Sequence, residues 1–224
     1  PRGRLGVHDE YLFEKNIQDL NTEKQPFFSV MFTMSSHSPY DQPIQNIIKK
    51  DISELPFINS VFYTDYALGE YFANAKKQDW YSNTLFIIVS DHSHVSHKNY
   101  SLQTFDYHQI PMLFLGDVIK PEFKGSKYQK IASQTDLPAT LLKQLGFDAS
   151  KFSWSKNLFN PYSPEFAYFE MNEGVGWKTP HGLFVYDKLH DKFLQKELDS
   201  THAEKTLIQG KAYLQDVFRQ FLSF

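Results

Sequence analysis

The chain has 224 residues, a formal net charge of −3, 41% apolar and 22% charged residues, and no cysteine. This length can bury a sizeable core within one domain, and the composition is globular rather than disordered. The charge leaves no basic footprint for nucleic acid, no apolar run approaches the roughly 18 residues of a membrane helix, and disulfides and thiolate metal sites are excluded. Aromatic residues make up 17% of the chain, enough for a thick core and an aromatic-walled pocket. The opening Pro1-Arg2-Gly3-Arg4 has neither an initiator Met nor a signal pattern, as expected for a fragment of something longer.

In chain order, Leu12, Phe13, Ile17 and Leu20 recur at near-helical spacing, with Asp9 as the N-cap of a helix over 9–20. Pro26 leads into Phe27-Phe28-Ser29-Val30-Met31-Phe32-Thr33-Met34, which reads as a buried strand. From Ile58, the positions Val61, Phe62, Leu68, Tyr71, Phe72 and Ala75 mark a long amphipathic helix. It feeds a strand at 84–90, whose run Leu85-Phe86-Ile87-Ile88-Val89 is apolar enough to be buried on both faces. A further strand at 110–115 starts with Pro111 near its beginning, where a missing N–H is tolerated, and stops at Gly116. The Lys-rich stretch 117–130 reads as a surface connection, followed by a short helix at 136–145 capped by Asp136 and stopped by Gly146. Residues 166–171 and 182–187 read as strands, the second turning at 188–191 into a hairpin. The Gly-containing stretch 170–181 reads as a hairpin turn anchored by Trp177, with a pocket cover as the alternative. Leu207, Leu214, Val217, Phe218 and Phe221 define a closing helix. The expected fold is therefore α/β: a mainly parallel sheet with helices on both faces, plus a small C-terminal hairpin and closing helix.

Chemistry in open α/β sheets gathers beyond the carboxyl ends of the strands. Ser90-Asp91-His92 stands at such an end and offers one carboxylate and one imidazole to a divalent metal, with His94, His97 and His108 following soon after. Ser35-Ser36-His37-Ser38-Pro39-Tyr40 follows the predicted strand at 27–34, where His37 can contact a phosphate or sulfate oxygen or shuttle a proton to a leaving group. His94 and His97 are candidates to line a substrate channel. His108, a further substrate-binding candidate with His37 and His94, precedes the strand at 110–115, at the far end from the site if that strand is parallel, so a fold-back of loop 93–109 would have to bring it near. No nucleophile elbow, Walker loop, dinucleotide fingerprint or HExxH helix occurs. His8, His181, His190 and His202 receive no role.

The motifs also fall in a recognisable order. Gly6-Val7-His8-Asp9-Glu10-Tyr11-Leu12-Phe13, Gln25-Pro26-Phe27-Phe28, Ser36-His37-Ser38-Pro39-Tyr40, Tyr63-Thr64-Asp65-Tyr66-Ala67-Leu68-Gly69, Trp80-Tyr81-Ser82-Asn83-Thr84-Leu85-Phe86, Ser90-Asp91-His92, Gln109-Ile110-Pro111-Met112-Leu113-Phe114 and Ser133-Gln134-Thr135-Asp136-Leu137-Pro138-Ala139-Thr140-Leu141-Leu142 occur collinearly. Together, over about residues 5–160, they resemble the sulfatase family of the alkaline phosphatase superfamily, and most closely its lipoteichoic acid synthase-like branch.

That resemblance implies metal-dependent transfer or hydrolysis at a phosphate or sulfate ester, with phosphoglycerol transfer from a lipid-linked donor as the leading activity of the full-length protein. A sulfatase (sulfuric ester hydrolase) is the enzymatic alternative, and a non-catalytic sulfatase-like binding domain is the rival from another class. Asp91 and His92 match the two later metal ligands of the synthase-like branch, for a divalent ion that is Mn, Zn, Mg or Ca. His37 matches the histidine that contacts the glycerol phosphate head group. A histidine placed like His108 belongs to a second metal in other branches. The family nucleophile, a Thr or a formylglycine, and an early acidic ligand are expected upstream of Pro1, so no catalytic nucleophile is assigned in this chain. The fragment alone is expected to bind metal weakly and turn nothing over. Residues 1–160 would be the C-terminal part of the catalytic core, and 161–224 its terminal strands, hairpin and closing helix. The parent would be extracytoplasmic, at the periplasm or cell surface, and membrane-anchored through sequence outside this chain.

Overall fold

The computed structural model describes residues 3–95 and 101–224. Its elements are helices α1 (Asp9–Leu20) and α2 (Leu55–Ala75), strands β1 (Phe86–Val89) and β2 (Met112–Leu115), helix α3 (Leu137–Gln144), strands β3 (Ala167–Met171), β4 (Gly174–Thr179), β5 (Gly182–Asp187) and β6 (Lys192–Leu198), and helix α4 (Ala203–Phe221). They fall into two compact units, Pro1–Phe86 with Phe114–Lys124, and Ile87–Leu113 with Gly125–Phe224.

In the first unit, α2 buries Tyr63, Ala67, Tyr71 and Ala75, a stripe with one residue per helical turn. Its counterpart on α1 is Phe13 and Leu20, and Trp80 closes the cluster. The alanines remove bulk and let the tyrosine rings reach across. The Tyr71 hydroxyl donates to Asn16 Oδ1 at 2.9 Å, which satisfies both buried polar groups, and burial pushes the phenol up to about 12. Trp80 Nε1 likewise donates to Asn21 Oδ1 at 2.8 Å.

Residues 27–34 differ from expectation. They form no helix, turn or bend and seat Phe27 and Met31 against the core, while Asn16 Nδ2 donates to Ser29 Oγ, yet they enter no ladder among the described residues. An apolar alternating run specifies an extended backbone, but a strand also needs a neighbour at hydrogen-bonding distance.

The strand directions are a second difference. β1 and β2 pair with each other, with Thr84 O beside Gly116 and the Ser90 N–H donating to Pro111 O, so the two run antiparallel. Strands β3 to β6 form an antiparallel meander in sequence order. The described sheets are thus antiparallel rather than mainly parallel. Runs of four apolar residues bury equally well in either direction, so composition did not decide between them.

In the second unit, β4 occupies much of the stretch read as a turn. Gly174 and Gly176 disguised it, because glycine is depleted in strands. Here their bareness is required: a Cβ on Gly176 would lie 1.9 Å from the Phe169 ring carried by the paired strand, and one on Gly174 would lie 2.5 Å from Tyr186 O. α4 lies against β5 through Thr206 and Gly210, where a Cβ on Gly210 would be 2.5 Å from the Phe184 ring. Gly146, at φ 77, ends α3 as expected.

Asp136 stands at the N-cap position of α3 as expected, but its side chain makes no capping hydrogen bond to that helix. It is fully buried and takes hydrogen bonds from the backbone N–H groups of Ser133 and Lys156 and from Lys156 Nζ, at 2.8–3.0 Å. Lys156 Nζ also donates to Phe166 O and sits 3.9 Å from the centroid of the Phe166 ring. This ion pair fastens the loop after α3 to the start of the meander.

Candidate active site

In the second unit, β1 delivers Asp91 and His92 just beyond its carboxyl end, both exposed. The Asp91 Oδ1 accepts the His92 backbone N–H at 2.8 Å, and Asp91 Oδ2 lies 3.6 Å from His92 Nε2. His92 Nδ1–H donates to Ser93 O at 2.7 Å. That bond places the ring proton on Nδ1 and leaves the Nε2 lone pair beside the carboxylate. Two ligands of one tetrahedral ion, each about 2.0–2.2 Å from it, stand about 3.4 Å apart, so the pair fits a divalent metal as it stands.

The loop carrying this pair is well tied. Gln134 Nε2 donates to Ser90 O at 2.7 Å, and Ser93 Oγ donates to Tyr107 O. The antiparallel return of β2 explains the second tie. It brings residues 107–111 alongside 90–93, where a parallel strand would have carried them to the other end.

His108 therefore sits on a segment flanking the Asp91 loop, but its ring is otherwise engaged. It stacks on Phe169 with centroids 3.9 Å apart, and its Nε2–H donates to Leu102 O at 2.9 Å. Burial holds its pKa below the ordinary value. His94 is half-buried on the same loop, and His97 lies outside the described residues.

His37 belongs to the first unit, in a turn after residues 27–34. It is exposed, and its Nδ1–H donates to Ser38 O at 2.7 Å, which leaves Nε2 as the second ring nitrogen. The turn closes through Tyr40 N–H donating to His37 O, with Tyr40 in the left-handed region at φ 60, a strained conformation for a bulky residue.

What fixes this turn is Asp9, which the sequence suggested only as a helix cap. His8 is the N-cap position, and the fully buried Asp9 carboxylate turns away from its own helix. Its Oδ1 accepts the N–H groups of Met34 and Ser35 at 3.0 and 3.1 Å, and its Oδ2 accepts the Thr64 hydroxyl at 2.8 Å. The Asp9 N–H donates in return to Ser35 Oγ. An acidic residue within a helix's first turn is so common that nothing in the sequence marked this long-range role.

Another cluster, His181, Asp199 and His202, places three ligand atoms within 4.8 Å of one another. Its imidazoles are stacked 3.9 Å apart at 15°, so one ion cannot lie in both ring planes, where the lone pairs point. His202 Nδ1–H donates to Asp199 at 2.7 Å and holds that carboxyl below its ordinary pKa, while Asp199 also accepts Thr201 N–H. As posed, the cluster organises the entry to α4.

The Sulfatase family model matches residues 2–147. Lipoteichoic acid synthase 1 of Bacillus subtilis is 23% identical over 91% of this chain and 34% of its own length; the lipoteichoic acid synthase of Staphylococcus aureus strain USA300 is 28% identical over 66% of this chain and 25% of its own. A solved structure of an alkaline phosphatase superfamily protein from Vibrio parahaemolyticus superposes with a TM-score of 0.72 at 31% identity, covering 96% of this chain and 57% of that one. The chain thus spans about a third of the length of the first curated relatives. Its α/β fold is that of the alkaline phosphatase superfamily, and the chain belongs to the Sulfatase family.

Proposed function

We propose that this chain supplies part of the metal- and substrate-binding apparatus of an enzyme that transfers phosphoglycerol from a lipid-linked donor, working at the cell envelope as the names of the lipoteichoic acid synthases suggest. The observation that carries this reading is the Asp91–His92 pair: two ligand atoms 3.6 Å apart, with the imidazole proton committed to Ser93 O. Asp91 and His92 would hold one divalent ion, Mn, Zn, Mg or Ca, which supplies Lewis-acid charge to oxygens at the reacting phosphorus. Two protein ligands leave the ion under-coordinated, so a third from polypeptide outside this chain belongs to the reading, as does the nucleophile.

The chain's own residues then divide the remaining work. His37, held through Nδ1, would use its other ring nitrogen either to position the substrate anion or to protonate the departing alkoxide. His94 lines the approach to the metal pair. His108 we assign to anchoring the segment beside Ser93, because both its ring face and its Nε2–H are engaged. Residues 1–160 carry these groups, and 161–224 complete the same catalytic domain. No helix among the described residues is long and apolar enough to cross a membrane, so an anchor belongs to the parent. The family description favours a second reading, hydrolysis of a sulfate ester by the same metal pair.

Titration of the chain with Mn²⁺ or Zn²⁺ tests the metal assignment: weak binding should saturate at one ion and vanish in Asp91→Ala and His92→Ala. Equal binding by these variants would remove the assignment. Phosphoglycerol lipid and aryl sulfate offered to the full-length polypeptide would then separate the two activities.

A further inference from the structure

Among the described residues, no backbone-to-backbone hydrogen bond involves Asp91, His92 or Ser93. The last rung before them is the Ser90 N–H donating to Pro111 O. Side chains therefore fix this loop, and they do so at both of its ends. Ser93 Oγ donates to Tyr107 O at one end, and at the other Gln134 Nε2–H donates to Ser90 O at 2.7 Å, across 44 residues of chain. The second bond bears directly on the carboxylate. A peptide unit is planar, so the Ser90 carbonyl shares its plane with the Asp91 nitrogen and Cα. A clamp on Ser90 O sets that plane, and with it the direction in which Asp91 leaves β1.

Gln134 is exposed, yet its backbone is anchored. Its neighbour Ser133 donates its N–H to Asp136 Oδ2 at 2.8 Å, and Asp136, two residues on, is fully buried. Lys156 then holds the Asp136 carboxylate through its backbone N–H and its Nζ, at 2.8–3.0 Å. The side chain of Gln134 thus combines a fixed base with a tip that reaches the metal pair's own peptide unit.

We propose that Gln134 is a positioning residue for the Asp91–His92 pair, aiming the carboxylate through the Ser90 carbonyl from a turn that Asp136 and Lys156 hold in place. Gln134 keeps the two ligand atoms at their 3.6 Å spacing before an ion arrives. Without it the ion would have to order the loop itself, which lowers affinity. The consequence for metal binding rests on the metal reading proposed above, whereas the hold on the loop does not.

Gln134→Met keeps the length of the side chain and removes its N–H groups. In this variant of the chain, affinity for Mn²⁺ should fall about 10-fold, the lower end of what a group outside the ligand shell contributes. The His92 amide, which donates to Asp91 Oδ1, should exchange faster, while the amides of α3 and the thermal midpoint keep their parent values. Unchanged His92 exchange would overturn the proposal, as would unchanged affinity in a chain that binds Mn²⁺. Faster exchange throughout α3 with a lowered midpoint would overturn it too, because Gln134 would then be supporting the fold. A parent chain that takes up no Mn²⁺ would remove the metal reading alone; faster His92 exchange in Gln134→Met would still uphold the positioning role.

Discussion

Asp136 and Asp91 are the same side chain in opposite circumstances. Asp136 is fully buried, and its two oxygens accept from two backbone N–H groups and the Lys156 ammonium. Asp91 is half open to water at a strand end, and the hydrogen bond it accepts comes from the adjacent His92 N–H. A saturated carboxylate has no capacity left for a ligand and serves the architecture. An unsaturated one beside an imidazole with its lone pair turned inward retains capacity for an ion. The difference between structural and chemical acids in this molecule is therefore one of remaining valence, not of residue type.

This contrast can be broken at several points. The largest effect should come from Asp136→Ala, which strands the Lys156 charge in a site that excludes water; about 3–5 kcal/mol of stability should be lost in denaturant unfolding. A loss below about 1 kcal/mol would show that the pair is replaceable by water. Asp9→Ala should cost about 2–3 kcal/mol, since the Met34 and Ser35 N–H groups and the Thr64 hydroxyl lose their acceptor. Amide exchange at Met34 and Ser35 should quicken with it, and unchanged rates would refute the anchoring role. Asp91→Ala should sit at the other pole, with stability within about 0.5 kcal/mol of the parent. Its affinity for Mn²⁺ should fall by at least about 100-fold, because even an outer partner of a metal ligand is worth 10–100-fold.

The smallest effect concerns pH. Burial keeps the His108 pKa below the ordinary 6.5, so the unfolded chain binds this proton more readily than the folded one. The stability contributed by the neutral ring is complete above about pH 6.5 and is lost as pH falls through the lowered native value. His108→Phe keeps an aromatic partner for Phe169 and should flatten the decline in denaturant midpoint between pH 7 and pH 5. An unaltered slope would mean that another group governs it.

Helix α2 was legible because Leu68, Tyr71, Phe72 and Ala75 recur at helical spacing, although the buried Tyr63 and Ala67 were not among the positions that announced it. The Asp91–His92 pair was legible because an apolar run ends immediately before it. What escaped was whatever depends on a distant neighbour. β4 was hidden by glycines whose purpose is to admit Phe169 and Tyr186 from other strands. The direction of β2 was hidden because its composition carries no arrow. Asp9 resembled any first-turn acid until its acceptors were seen to reach residues 34, 35 and 64. Nor could the sequence foretell which ring nitrogen a carbonyl occupies, Nδ1 in His92 and His37 but Nε2 in His108.

The empty space above Gly176 has reach well beyond its own strand. Phe169 lies down into it, and the upper face of that ring is the platform on which His108 rests, next to the tie between Tyr107 and Ser93. A single added methyl at Gly176 would lift the platform, tilt the imidazole off its carbonyl and work loose the far side of the Asp91 loop. Hydrogen atoms in place of a side chain, three links away from the carboxylate, thereby govern how steadily it is aimed.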